Sequence, residues 1–414
     1  MSFEIARSGI NAVSESLETI SNNIANSGTY GFKSGRANFS AMYAGTAANG
    51  AEVSSTSQSM EKSGGLLNTG RGMDAMIQGR GFFAVKDNSG QQVFTRVGIF
   101  NTDKNGYVID SLGRKVQGYA AVLDANGKPI AGAGLGALGD LKIPTNQVGA
   151  QASDKLAFNG NLSADWTVPA TAVFNPTDPT SFNSSITSVA YDSLGSKHSV
   201  TQYFVKTGSN AVTVHYTIDG SQNQLPGTAP TTALATKNLA FLPDGTLDTA
   251  TTPATTTLAL GTPGGANALA LTVDYNSTTQ YAGDTTTLVN QANGNAAGTM
   301  TGTSIAEDGS VVATYSNGEK QIVGTVALAT FANENALVAV SDTSWTANND
   351  TGAPLFAQPG SSLASRLSTG SIEQSNVDMT GELVNLMSAQ RNYQANTKVI
   401  SAENEMMQSL MQAV

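Results

Sequence analysis

The chain has 414 residues, with 21 basic against 31 acidic side chains, two histidines and no cysteine. A net charge of −10 at only 13% charged residues offers no basic face to neutralise phosphates, which argues against nucleic-acid binding. Without cysteine there is no disulfide framework, thiolate metal site or cysteine nucleophile, and two histidines leave few members for a catalytic triad or a histidine-rich metal site.

The N-terminus, "MSFEIARSGINAV", has neither a basic leader nor a continuous apolar core, so it does not read as a cleavable signal. No apolar run approaches the roughly 20 residues of a membrane span. Instead Phe3, Ala6, Ile10, Val13, Leu17, Ile20 and Ile24 alternate spacings of three and four, a heptad seam on one face of a helix. Ser2 is the expected N-cap and Glu4 suits the positive first turn. In "ISNNIANSGTYGFKSG", residues 20–35, Asn22, Asn23 and Asn26 weaken the last turns and Gly28 is the expected stop. So thin a helix has little of its own to fold against and requires a partner.

From residue 36 to 370 the pattern changes to short alternating runs. These are "GFFAVKD", "QQVFTRVGIF", "GYVIDSLG", "KLAFNGNL", "HSVTQYFVK", "AVTVHYTIDG", "ALALTVDY" and "GSVVATYSNG". Turn signals separate them at residues 87–90, Asn105-Gly106, Asn126-Gly127, Asp244-Gly245, Asp308-Gly309 and Asn317-Gly318. The expectation is antiparallel β structure of the sandwich or barrel kind. The glycine pairs of "GRGMDAMIQGRGFF" precede a strand rather than a helix, so turns and close backbone approach explain them better than a nucleotide loop. "GALGDLKIP", ended by Pro144, reads as a linker. Residues 220–300, rich in Thr, Ala, Gly and Asn, read as surface-heavy β with long loops.

Asp103, Asp110 and Asp192 sit in turn contexts, where aspartate is common, and their spacing supports no catalytic pair. His198 and His215 fall in strand patterns. No catalytic, cofactor-binding or metal-binding residue is assigned, and the chain reads as no enzyme.

A second helix is expected over 379–411, capped by Asp378 or Ser375. Its seam runs Met379, Leu383, Leu386, Gln390, Tyr393, Thr397, Ile400, Asn404, Met407, Met411 and Val414, with three polar interruptions that specify register and partner. Methionine is absent from 77 to 299 and occurs five times after residue 378, which suggests an adaptable contact. Strands between two pairing helices imply nested, discontinuous domains. We expect 1–30 with 370–414 as a coiled-coil-like helical domain and 31–72 with 357–369 as a connector. An inner β domain follows from 73–145 with 280–356, and an outer β domain from 146–279.

"SNNIANSGTYGFKSGRANF", residues 21–39, and "SNVDMTGELVNLMSAQRNYQANTKVISAENEMMQSL", residues 375–410, resemble the two terminal signatures of the bacterial flagellar rod and hook family. In that resemblance Asn22, Asn23, Asn26, Tyr30, Gly31, Phe32, Lys33, Gln390, Arg391, Tyr393 and Gln394 are signature positions. "AYDSLGSKHSVTQYF", "EDGSVVATYSNGEKQIVGTVALATFANENAL" and "PLFAQPGSS" resemble the hook members more than the shorter rod members. The resemblance implies a secreted, extracellular structural subunit of a bending polymer, exported by the flagellar type III apparatus. Its terminal helices would pair in an inner tube and pack between copies through Phe3, Ile10, Val13, Leu17, Ile20, Ile24, Leu383, Leu386, Tyr393, Ile400 and Met407. Tyr30 and Phe32 would fasten the connector. The implied partners are further copies, a distal rod protein, a hook-cap scaffolding protein, a hook–filament junction protein and the export apparatus, with no nucleic acid and no membrane insertion. Two other readings stand beside it. One is a rigid distal rod subunit, which an insertion near residues 40–60 would favour; none is evident. The other is a secreted β-rich binding or hydrolytic protein, for which two Trp and 7% aromatics supply little platform.

Overall fold

The computed structural model describes residues 2–44, 47–87, 89–122, 130, 134–144, 147–225 and 233–413. Among them two long helices bracket a chain of strands: α1, Ser2–Ala25, and α2, Met379–Ala413. The Ser2 side chain, Asn88 and the turn at Asn126 and Gly127 lie outside the described residues.

α1 stops by a different device from the one expected. Gly28 is not left-handed. The last carbonyls are instead satisfied locally, with the Asn26 amide donating to the Asn22 carbonyl at 3.0 Å and the Ser27 hydroxyl to the Ile24 carbonyl at 2.9 Å. α2 is capped by Asp378, whose carboxylate accepts from the Thr380 N–H at 3.1 Å. It runs on through Gly381 without a break.

Each of the eight alternating runs contains a strand. The three candidate carboxylates are turn residues. Asp103 accepts from the N–H groups of Asn105 and Tyr107, Asp110 from Leu112 and Arg114, and Asp192 from Leu194 and Ser196, all within 3.0 Å. One element was not anticipated. β1 (Gly35–Ala44) and β2 (Ala47–Gln58) form a long bulged hairpin lying along α1.

The chain divides into two compact units. The first comprises Met1–Thr145, Gly302–Thr314 and Lys320–Val414. Beyond the helices and hairpin it holds a sheet in which Phe82–Lys86 lies between Lys115–Ala120 and Gln92–Thr95, with Ser344–Thr346 next outward. Its aromatic core joins Phe82, Phe94, Phe331 and Trp345 in edge-to-face contacts at 4.8–6.2 Å. The Trp345 indole N–H donates to Gln58 Oε1 at 2.7 Å, which fixes the end of the hairpin to this core.

The second unit, Asn146–Thr301 with Tyr315–Glu319, is a β sandwich. One four-stranded sheet runs Thr255–Gly261, Leu269–Asp274, Lys155–Asn161, Thr286–Ala292. The other runs Ser184–Tyr191, Lys197–Gly208, Ala211–Ile218, Lys237–Ala240. Both contribute to one apolar core. Among the described residues the antiparallel expectation is broken where Lys155–Asn161 runs parallel to Leu269–Asp274, and at the isolated parallel bridges Asn161 with Thr279 and Leu225 with Gly261. Within the core Tyr216 and Tyr275 share a hydroxyl–hydroxyl bond of 2.8 Å, and Tyr275 donates to the buried Gln202.

His198 lies between two carboxylates of this unit, Nδ1 at 2.8 Å from Asp219 and Nε2 at 3.5 Å from Asp192. Burial raises the pKa of both aspartates. Backbone N–H groups and His198 more than offset it for Asp192, and His198 and the Ser199 N–H do so for Asp219, so both end below the ordinary value. His215 stacks on Phe174 at 4.2 Å, and burial holds its imidazole below the usual range. In all three the folded pKa is depressed, so the unfolded chain binds more protons. Stability is therefore lost as pH falls, below about 6.5 through His215 and below about 4 through the aspartates. Thermal unfolding of this unit across pH should show two steps. In His215→Gln the upper step should vanish; an unchanged upper step would refute the assignment.

Candidate functional site at the base of the helical pair

α1 and α2 pack antiparallel. Asn23 near the end of α1 donates to Glu382 at the start of α2 at 3.0 Å, and Gly9 lies so close to Asn396 that a Cβ would stand 2.8 Å from its amide nitrogen. These contacts fall fourteen residues apart on both helices. The line of α2 that faces α1 is accordingly Glu382, Leu386, Ala389, Asn396, Ile400 and Glu403, all buried or half-buried. Over the length of α1 its buried and half-buried members share Leu386 and Ile400 with the seam read from apolar spacing.

Of the expected packing residues, Ile20 is buried and Ile10, Val13, Leu17, Ile24, Leu386 and Ile400 are half-buried. Phe3, Leu383, Tyr393 and Met407 are exposed, as are the signature residues Gln390, Arg391 and Gln394. Leu383 thus lies off the α1-facing line, and Met407 lies on its continuation beyond the start of α1.

The chain leaves the helical pair through a clasp of polar side chains. Asn23 closes a two-way bond with Gly35, donating to its carbonyl and accepting from its N–H, both at 2.8 Å. With the bond to Glu382, one amide ties the end of α1, the start of β1 and the start of α2. Asn376 does the same on the return strand. It accepts from the Ser34 N–H at 2.7 Å and donates to the carbonyls of Ser59 and Lys62.

Between these amides lies a fully buried ion pair, Lys33 Nζ to Glu373 Oε1 at 2.7 Å, with side chains 0% and 1% exposed. Lys33 also donates to the Lys62 carbonyl, and Glu373 accepts from the Gly64 N–H. The second carboxylate oxygen stands 3.7 Å from the buried guanidinium of Arg96, which donates to the Gly79 carbonyl and lies over the Phe82 ring at 5.4 Å. Burial, then the Arg96 charge, lowers the Lys33 pKa, and Glu373 opposes both. The pair therefore joins the chain leaving α1, the chain entering α2 and the edge of the β core. Charges this deeply buried are tolerated only when paired and hydrogen-bonded.

Gly31 is left-handed at φ 68°, and a Cβ there would meet Val97 at 2.9 Å, so a side chain is excluded both by conformation and by space. Tyr30 is exposed and Phe32 half-buried. The fastening expected of the two aromatics is carried by Lys33, Asn23, Glu373 and Asn376 instead. Sequence reasoning noted Lys33 only as a signature letter and Asn23 as that and as a residue weakening the end of the helix, and it missed Glu373, Asn376 and Arg96. The charged letter in "SIEQSN", set in an otherwise neutral run, was the available signal.

Four family models match in chain order. They are the flagella basal body rod protein over 3–33, the flagellar hook protein FlgE/F/G D1 domain over 76–158, the flagellar basal body protein FlaE D2 domain over 161–295 and the flagellar basal body rod FlgEFG protein C-terminal over 368–413. The chain is 37% identical over 420 residues to the flagellar hook protein FlgE of Salmonella typhimurium, covering 99% of both. It is 34% identical over 414 residues to that of Escherichia coli, again covering 99% of both. The crystal structure of Helicobacter pylori flagellar hook protein FlgE2 shares the fold, with a TM-score of 0.52 at 14% identity over 74% of this chain and 99% of that one. A rigid rod subunit is not favoured by these full-length similarities. The two terminal matches enclose the clasp, and the matches between them account for both β units: the chain belongs to the flagellar hook protein family.

Proposed function

We propose that the chain is the structural subunit of the bacterial flagellar hook, a curved helical tube that bends while passing torque from rod to filament. One observation carries the mechanical part of this reading. α2 uses one face on α1 and leaves large apolar side chains exposed along its length, among them Val384, Met387, Val399 and Leu410. Such a helix is unfavourable in water and is covered by assembly. A contact between unlike surfaces that does not close on itself generates a filament. The role is mechanical rather than catalytic, needs no cofactor, and belongs to an extracellular structure reached through the flagellar export apparatus. The further partners are the distal rod, the hook cap and the hook–filament junction protein. Among the described residues no helix is long and apolar enough to cross a membrane.

The test is Val399→Glu. Val399 is exposed in the single chain, so the change should leave thermal stability within about 0.5 kcal/mol. It should nonetheless abolish filaments seen by electron microscopy, because assembly would bury an unpaired charge. Normal filaments from the variant would overturn the role of the helical face.

A further inference from the structure

α2 outruns its partner. In the register fixed by Asn23 with Glu382 and Gly9 with Asn396, the start of α1 lies opposite Glu403. Residues 404–413 therefore extend past α1 by about 15 Å. The α1-facing line does not stop there. Continued by four and three residues it reaches Met407 and Leu410, and with Met406 and Met411 these are 55–74% exposed. The seam is thus built on, in apolar side chains, beyond the helix it serves.

The opposite end of α2 carries a second unpartnered patch. Met379, Leu383, Val384 and Met387 are 43–52% exposed and span about 12 Å. The helix between them exposes mainly polar side chains, Gln390, Arg391, Asn392 and Gln394, with Tyr393 and Val399 as the large apolar ones among them.

We infer that the overhang of one copy seats on the base patch of a second copy, joining α2 helices head to tail. This deepens the hook-subunit reading and rests on it. The two patches are similar in length and both apolar, and methionines supply most of the adaptable surface at the tip. One helix cannot fold back on itself, since Leu383 and Leu410 are separated by about 40 Å of rigid helix. Tip meeting tip, or base meeting base, would give a closed two-fold pair. Tip meeting base leaves one free patch at each end and propagates without limit. A contact of this kind sets the axial spacing of copies, while the sides of the helical pair remain free for lateral neighbours.

The absence of cysteine makes the test direct. Leu383→Cys with Leu410→Cys in one chain offers two thiols that only a second copy can bring within disulfide distance. Filaments of this variant, oxidised and run without reductant, should give a ladder of dimers, trimers and longer products. Each single variant should stay monomeric. Met387→Cys with Met411→Cys supplies a second pair should the first hinder assembly. Filaments that form with both pairs but give no ladder overturn the tip-to-base contact and leave the subunit reading standing, as do single variants that each give dimers without a ladder in the double. Failure of the unaltered chain to polymerise at all overturns the reading beneath it.

Discussion

Replacing Glu373 by glutamine is expected to lower the stability of the helix-bearing unit by about 3–5 kcal/mol, the usual cost of stranding a buried charge. Two cations depend on this one carboxylate. Lys33 is bonded to it at 2.7 Å and Arg96 stands at 3.7 Å, and both side chains are fully buried. Removing Lys33 instead, as Lys33→Met, should cost less, because Arg96 remains to neutralise Glu373 and need close only a short gap. The double change Lys33→Met with Glu373→Gln should be milder than Glu373→Gln alone, since it removes one of the stranded cations. Scanning calorimetry reads the result if the two units melt separately: the transition of the helix-bearing unit falls and that of the sandwich stays. A Glu373→Gln variant no less stable than Lys33→Met would show that the clasp is not held by this ion pair. The consequence for assembly is specific. The clasp fixes the angle at which the helical pair leaves the β core, so a loosened clasp should give irregular filaments before it gives none.

What the sequence made legible follows the strength of each physical signal. α1 was readable because apolar residues recur on one helical face, and the strands because eight runs alternate between turn residues. The hairpin of β1 and β2 was not. Its residues, "RANFSAMYAG" and "AANGAEVSSTSQ", carry little apolar alternation. It is held by long-range contact with α1, where Gly50 approaches so closely that a Cβ would stand 1.9 Å from Ser8 Oγ and the Ala51 N–H donates to that same hydroxyl. The seam expected on α2 meets the α1-facing line at Leu386 and Ile400 and departs from it by one residue in between, for a related reason. Periodicity finds the most apolar stripe, whereas the face on α1 is lined by Ala389, Asn396 and Glu403. On this helix Leu386 and Ile400 face α1 while Val384, Met387 and Val399 stay exposed, so apolar spacing alone does not separate the internal contact from the exposed surface. The clasp escaped because its members lie far apart in sequence, Lys33 and Glu373 being 340 residues apart, and only the fold brings them together.

Phe158→Ala is expected to destabilise the sandwich unit by about 3–5 kcal/mol and yet to leave filament formation intact. Phe158 is buried at the centre of the core, its ring 5.2 Å from Phe204 and 5.7 Å from Tyr275. It lies on Lys155–Asn161, the strand that pairs with both Leu269–Asp274 and Thr286–Ala292, so the cavity opens where neighbouring strands depend on one another. Its transition should fall while that of the helix-bearing unit is unchanged. Assembly should persist because the helical pair, the hairpin and the clasp all belong to the other unit. Filament shape should change instead. A tube that bends while rotating requires each copy to pass between arrangements separated by a few kcal/mol at most. A softened sandwich alters the contacts it can make in each arrangement, so the filaments should appear straighter or irregular in curvature by electron microscopy. Native curvature at a temperature where the variant sandwich is unfolded would show that this unit does not set shape. Loss of filaments with the helix-bearing unit still folded would show that polymerisation needs both units, and the division of labour between scaffold and shape would fall.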